Sequence, residues 1–373
     1  MNSHYSLWKD LSSDKPSISL SQYKLNSNNM FHAGMSMLKL GNTEEALICF
    51  TNGYELAKSL DDVNQMALFK LLGAECKLLF KGYSEILADV MEVMQNDSIS
   101  AEIVTVGLIL QLQLAIMIPL EYGSIQILLD ESHRHCTQNG FEQQRLIVLM
   151  TESMLEHMRG DYSKSLNLGL EVLAKWIPNP MYDIRVAVYL YVFMNLIYLE
   201  DIPTLKSWIP RLENLNTDIL WLKQPTLLFA KAVVLYYEDN MDGANDYAVK
   251  LWKFINEGIP ILGIEYFGFI VTLLTATGEF DTVNEFLEIL DEMKETTEDK
   301  YTIYEIYKIF GDYLRTIYAG FGEPTNLHLA KYHYEHALDV GISIDSLLES
   351  DFRKREITNR INSLSDIHSP MWI

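Results

Sequence analysis

The chain has 373 residues, a formal net charge of -22 and a 49% hydrophobic fraction. That length exceeds one ordinary compact core, and the apolar content excludes a disordered chain. The acidic balance opposes binding to nucleic acid or anionic lipid, which need a basic footprint; it fits a protein that repels its own copies, one with a basic partner, or one whose acidic residues solvate its outer faces.

In chain order, residues 1–18 are polar with Tyr5, Leu7 and Trp8 embedded, hold no apolar core of signal-peptide length, and read as a short N-terminal arm. Asn42 and Glu45 after Gly41 have the spacing of a helix N-cap with its reciprocal carboxylate. Asp61 and Asp62 precede Val63, Ala67, Leu71, Ala74 and Leu78, an apolar stripe stepping by three and four. Tyr83, Ile86, Leu87, Val90, Met91 and Met94 continue the pattern after Gly82. The uncharged run Ile103 to Leu120 is interrupted by Gln111, Gln113 and Pro119, so it reads as a buried helix rather than a membrane span. Val186 to Leu199 is apolar too, but too short to span.

Pro178 and Pro180 end the helix containing Trp176, and Pro203 and Pro210 predict an irregular segment after Asp201. Pro225 suits a helix start. Helical stripes follow Asn240 (Ala244, Tyr247, Ala248, Leu251, Trp252, Ile255) and Gly278 (Phe280, Val283, Leu287, Leu290). From Glu279 to Asp299 acidic residues dominate; with the stripe intact, they form a solvated face or a docking site for a basic segment. Residues 344–373 read as a C-terminal cap: a charged stretch from Leu347 to Leu364, then an apolar tail, Met371, Trp372 and Ile373, that folds back or serves as a short linear motif.

Turn signals fall at Gly41, Gly82, Gly123, Gly160, Asp201, Asn240, Gly278 and Gly320, spaced 37 to 42 residues apart. A period near 40 flanked by helical stripes means stacked antiparallel hairpins, because one hairpin cannot bury both stripes alone. The expected fold is all-α, a solenoid of about eight helix pairs over residues 19–343.

Within that period, Gly41, Ala46 and Phe50 resemble the second helix of a tetratricopeptide repeat, with a small residue five positions and an aromatic nine positions after the glycine. Ala330, Tyr334 and Ala337 give a similar pattern, Ala244 with Ala248 a partial one, and Gly160 with Ser165 a weaker one. The first-helix motif with Trp and Leu-Gly is mostly missing, and the period exceeds the usual ~34 residues. In both respects the array resembles the longer, degenerate repeats in sensor domains of bacterial transcription regulators and pheromone-peptide receptors, and those of eukaryotic scaffold proteins. The resemblance covers roughly residues 20–340 and implies a right-handed superhelix whose first helices line a concave surface. The receptors usually carry an N-terminal DNA-binding or effector domain, for which 18 residues leave no room; direct nucleic-acid binding is not expected.

No phosphate loop, dinucleotide fingerprint, nucleophile elbow or zinc helix occurs. His133, His135 and Cys136 cannot all share one helical face, His133 and Cys136 can; His333 and His336 are three apart on a stripe already explained structurally. No metal, cofactor or catalytic set is expected, and the chain is not expected to be an enzyme. Cys49, Cys76 and Cys136 form no Cys-x-x-Cys pair, which points to a reducing cytoplasm.

On the first helices that the resemblance assigns to the concave surface, Arg145 and Arg185 fall 15 and 16 residues before their turns, so stacking brings them near each other. Two arginines on one groove bind a carboxylate or phosphate bidentately. Tyr189 shares the face of Arg185, and Asn195, in an apolar helix, needs a polar partner such as a bound peptide backbone. The competing reading pairs both arginines with nearby carboxylates and Asn195 with a neighbouring helix. The expected function is a scaffold or adaptor gripping a partner peptide or helix; the alternative is a peptide-sensing regulator that changes curvature.

Overall fold

A computed structural model describes residues 20–77, 83–118, 120–177, 183–217, 219–256, 264–297 and 299–364. The N-terminal arm, Gly82, Pro178, Pro180 and the apolar tail lie outside these residues.

The three-and-four apolar spacing is realised as 17 α-helices, with no strand among the described residues. They are α1 (Leu20–Lys39), α2 (Thr43–Lys58), α3 (Val63–Lys77), α4 (Tyr83–Met94), α5 (Ala101–Met117), α6 (Tyr122–Asn139), α7 (Glu142–Met158) and α8 (Tyr162–Lys175). There follow α9 (Arg185–Tyr198), α10 (Ile202–Glu213), α11 (Leu220–Tyr237), α12 (Met241–Asn256), α13 (Glu265–Thr277), α14 (Phe280–Thr296), α15 (Lys300–Phe321), α16 (Pro324–Leu347) and α17 (Phe352–Asn362).

Every helix packs against the next in sequence. Odd-numbered helices also touch the next odd-numbered one, from α1 to α11 and between α13 and α15. Phe229 completes the row between α11 and α13, with its ring against Tyr266 and Phe269.

The two sets differ in burial for a reason visible in their composition. In α5 every residue from Gly107 to Leu112 is buried, and at 100° per residue six successive positions cover the whole helix circumference. By contrast α8 buries Ser165, Gly169 and Val172, and α6 buries Ile125, Leu129, Ser132 and Cys136, each a single stripe. From α3 to α15 the odd helices are therefore buried more widely than the even ones and form an interior row, while α17 buries only the stripe Arg353, Ile357 and Arg360. The small residues of the repeat pattern sit where the two sets meet: Ala46, Phe50, Ser165, Ala244, Ala248, Ala330, Tyr334 and Ala337 are all fully buried.

The turns share one backbone solution. The amides of Asn42, Asp62, Phe141, Asp161, Asp201, Asn240 and Glu279 each donate to the carbonyl five residues back, closing the preceding helix. The residue before each amide is left-handed: Gly41, Asp61, Gly140, Gly160, Glu200, Asp239 and Gly278. At three of them a non-glycine accepts that conformation, which costs about 1–2 kcal/mol.

Some local expectations are corrected. Asn42 precedes α2, but its side chain makes no capping bond; its Nδ2 lies 3.9 Å from Met37 Sδ. Caps are made instead by Asp62, Asp161 and Asp201, each accepting from the amide three residues on. Gly123 lies inside α6, and Gly320 inside the last turn of α15, which ends at the left-handed Gly322. Pro225 is the sixth residue of α11, which starts at Leu220. Pro203 falls in the first turn of α10, where no amide bond is lost, and α10 runs on through Pro210 to Glu213. The charged stretch from Leu347 is split: α16 continues through Leu347, and α17 follows after a short corner.

Helices distant in sequence also meet. Ile109, Leu112, Ile125 and Val148 share one apolar cluster with Tyr334, Ile344 and Ile357. At the corner before α17, Arg159 Nε donates to the Leu348 carbonyl at 3.1 Å, and Ser350 Oγ donates to the Arg159 carbonyl at 3.0 Å. Near the other end, the Gly41 turn lies against the indole of Trp221.

Candidate functional site

Four successive odd helices, α9, α11, α13 and α15, line with α17 a half-open cavity of about 60 Å³. Its apolar wall comes from Met194, Tyr198, Phe229 and Phe269. The opposite wall is charged: Glu305, Lys308 and Asp312 from α15, and Arg360 from α17. The space is large enough to admit water.

The charged wall follows from spacing. Tyr304, Lys308, Asp312 and Arg315 step by four, four and three along α15, and Arg353, Glu356 and Arg360 step by three and four along α17, so each set shares one face. The two faces meet. Lys308 Nζ lies 2.7 Å from Glu305 Oε2 and 3.4 Å from Glu356 Oε1. Arg360 donates from Nη1 to Glu356 Oε1 at 3.0 Å and from Nε to Asp312 Oδ1 at 3.2 Å. Tyr334 Oη donates to Asp312 at 2.6 Å, and Tyr304 Oη donates to Glu356. At the start of α17, Asp345 accepts from Arg353 Nη1 at 3.2 Å and from the Lys354 amide at 2.9 Å. Arg315 donates to the Ser363 carbonyl just past its end.

Lys308, Asp312, Glu356 and Arg360 are all under a tenth exposed. Desolvation is the largest single influence on Glu356 and raises its pKa, but Lys308 and Arg360 together with two hydrogen bonds reverse this and hold it at about 2. Desolvation likewise opposes the charged form of Lys308, and Glu305 and Glu356 outweigh it, pushing its pKa up. Burial drives the Tyr304 and Tyr334 phenols well upward. These groups keep their charge states across the neutral range. Their arrangement suits positioning one helix on another rather than exchanging protons at pH 7.

The residues singled out from sequence occupy other places. Arg145 Nε donates to Glu142 on its own helix at 3.1 Å. Arg185 grips Asp183 with two nitrogens at 2.9 and 2.7 Å and reaches the Asn216 carbonyl. Tyr189, one turn along α9 from Arg185, is buried against Phe193 and Trp208. Asn195 lies ten residues from Arg185, about 15 Å along the helix. It is fully buried, with Oδ1 2.8 Å from His157 Nδ1 and Nδ2 donating to Ser165 Oγ at 2.7 Å. Arg185 and Tyr189 are thus neighbours, Arg145 pairs with a carboxylate of its own helix, and Asn195 is satisfied by His157 and Ser165.

His133 pairs with Glu152 at 3.4 Å, His135 with the Ala101 carbonyl at 3.1 Å, and Cys136 is buried. His333 stacks on Phe310. Among the described residues no group of three or more His, Cys, Asp or Glu is placed to hold a metal ion, and no helix is long and apolar enough to cross a membrane.

The charged wall escaped the sequence reading. Its only signal was charge stepping by four and three inside an apolar helix, at Lys308, Asp312 and Arg315, which a solvated face also gives. No family model matches the chain, and no curated relative matches it by sequence.

Proposed function

We propose that the chain is a right-handed superhelical solenoid of about eight antiparallel pairs, similar to tetratricopeptide arrays, and that it works as a non-enzymatic interaction module. It holds a helix of a partner protein against the inner face of its odd-numbered helices. The observation that carries this reading is α17 itself: a helix of mostly polar residues lies against α15 beside that face, positioned by matched charges. A surface that seats one helix by charge register suits another of the same chemistry. The three free, buried cysteines fit a reducing, cytoplasmic setting.

Site-specific photo-crosslinking during partner capture tests the reading. A crosslinker replacing Tyr198 on the inner face should trap the partner, and one replacing Ile127, 69% exposed on α6, should not. Trapping only from the outer position would refute it. Replacing Arg145 and Arg185 together by Ala, with affinity followed by calorimetry, tests whether that stretch contributes.

A second reading, a ligand-sensing regulator, draws on the long-range contact at Arg159, Leu348 and Ser350. A sensor changes its scattering radius on binding a small peptide, whereas a passive scaffold keeps one curvature.

A further inference from the structure

Helices α17 and α15 meet through buried charge, whereas α16 beside them is held mainly by apolar contacts. Helix α16 buries Ala330, Tyr334, Ala337, Gly341 and Ile344, with one charged residue, Asp345, at the end that meets α17. The buried residues of α17 are Arg353, Ile357 and Arg360, and Glu356 between them is under a tenth exposed. A buried ion pair contributes little net stability compared with an apolar contact of the same size, because both charges must first be desolvated. What it supplies is register: a misplaced helix leaves charges buried and unpaired. The connection to α16 adds strain, since Glu349 holds a left-handed φ of 50° without being glycine. Asp351 at the start of α17 forms no side-chain cap, and Asp345 of α16 anchors the Lys354 amide in its stead.

We propose that α17 is a releasable internal ligand, seated on the inner face beside Phe269 and against Lys308 and Asp312, and that it is replaced there by a partner helix with the same side-chain order. That order is a basic residue, an acid three positions on, an aliphatic residue next to it, and a second basic residue seven positions from the first, as Arg353, Glu356, Ile357 and Arg360 present it. The proposal rests on the inner-face reading above and deepens it: the partner-binding state is the one in which α17 has left. Release frees Glu349 from its left-handed backbone and exposes Lys308 and Asp312 to the incoming arginine and glutamate. A partner lacking the acid leaves Lys308 short of one of its two counter-charges and is rejected.

Two measurements on the full chain test this without any captured partner, so their failure is separable from that of the crosslinking experiment. In the first, the chain carries Glu356→Lys with Arg360→Glu, which keeps an opposite-charge pair within α17 but opposes Lys308 to a lysine and Asp312 to a glutamate. A synthetic peptide of residues 350–364 with the native sequence should bind this variant at least ten-fold more tightly than it binds the wild-type chain, whose tethered α17 competes. The same peptide with both charges reversed should not bind. Equal or absent binding of the native peptide to a folded variant overturns the proposal. In the second, native-state hydrogen exchange on the wild-type chain should show the α17 amides opening at least ten-fold faster than those of α13. Exchange of α17 and α13 in one common step overturns the proposal, including where the variant fails to fold.

Discussion

The Phe352 ring lies directly on Gly160, so that a Cβ at Gly160 would stand 2.5 Å from Phe352 Cγ. This contact joins the turn between α7 and α8 to the first residue of α17, across nearly two hundred residues of chain. Gly160 is also left-handed, at φ 79°. Gly160→Ala should therefore carry two costs: about 1–2 kcal/mol of backbone strain and about 1–3 kcal/mol of overpacking. Gly140, left-handed at φ 71° with open space around it, isolates the first cost. Chemical denaturation should show Gly160→Ala clearly more destabilising than Gly140→Ala, with the difference reduced in a Phe352→Ala background but not abolished, because the Cβ of residue 352 would still stand 2.8 Å from the added carbon.

Asn195 binds two partners from the preceding pair, His157 and Ser165, and all three are buried. Asn195→Ala leaves both without it, so a loss of about 2–3 kcal/mol is expected. Arg145→Ala removes an ion pair to a largely exposed glutamate and should change stability by less than about 0.5 kcal/mol. Urea midpoints of the two variants check the contrast. Equal effects would mean that the Asn195 bonds do not persist in solution.

That contrast marks what the sequence could reveal. The helices were legible because apolar residues at three-and-four spacing have one economical burial, and the turns only in part: left-handed residues recur near a 40-residue period at Gly160, Glu200, Asp239 and Gly278, but Gly123 lies inside a helix and Asp61 and Gly140 fall between the expected positions. Individual caps were not: Asn42 and Asp161 occupy equivalent places, and only Asp161 caps. Gly320 and Gly322 are chemically identical candidates for one stop, and backbone geometry chose the second. The polarity of Asn195 did announce a partner, and the partner lies inside the fold. The wall of Lys308, Asp312, Glu356 and Arg360 was illegible for a different reason. Its two halves lie about fifty residues apart, and charges at helical spacing look alike whether they face water or each other.

His333 stacks on Phe310 with its Nδ1 buried and unbonded. Desolvation first, then Lys294 and His336, lower its pKa from 6.5 to about 4. The unfolded chain therefore binds the proton more readily between pH 6.5 and about 4. Stability from this group is complete above pH 6.5 and is lost as pH falls through that window. Allowing for its partial exposure, the loss is about 1–2 kcal/mol. His333→Phe keeps the stack and removes the titration, so the variant should gain on the wild type at pH 5. Ring titration by NMR should place the His333 midpoint near pH 4; a midpoint near 6.5 would remove the effect.

Glu356 makes the opposite demand on acid. Its folded pKa of about 2 lies below the ordinary 4.5, because Lys308 and Arg360 outweigh the desolvation that acts against the charged form. The charged carboxylate is thus the form that folding favours. Its contribution is fully present above pH 4.5 and disappears as pH falls from there towards 2. A displacement of that size corresponds to about 3 kcal/mol for a buried group. Glu356→Gln forfeits the ion pairs at every pH, so it should be less stable than the wild type at pH 7. It also lacks the titration, so the gap between the two chains should narrow steadily below pH 4.5 in guanidinium unfolding. The His333 window lies higher, between pH 6.5 and 4, and the double variant separates the two. A gap that stays constant down to pH 3 would mean that Glu356 is not held by Lys308 and Arg360 in solution, and with it the register of α17 against α15 would lose its physical basis.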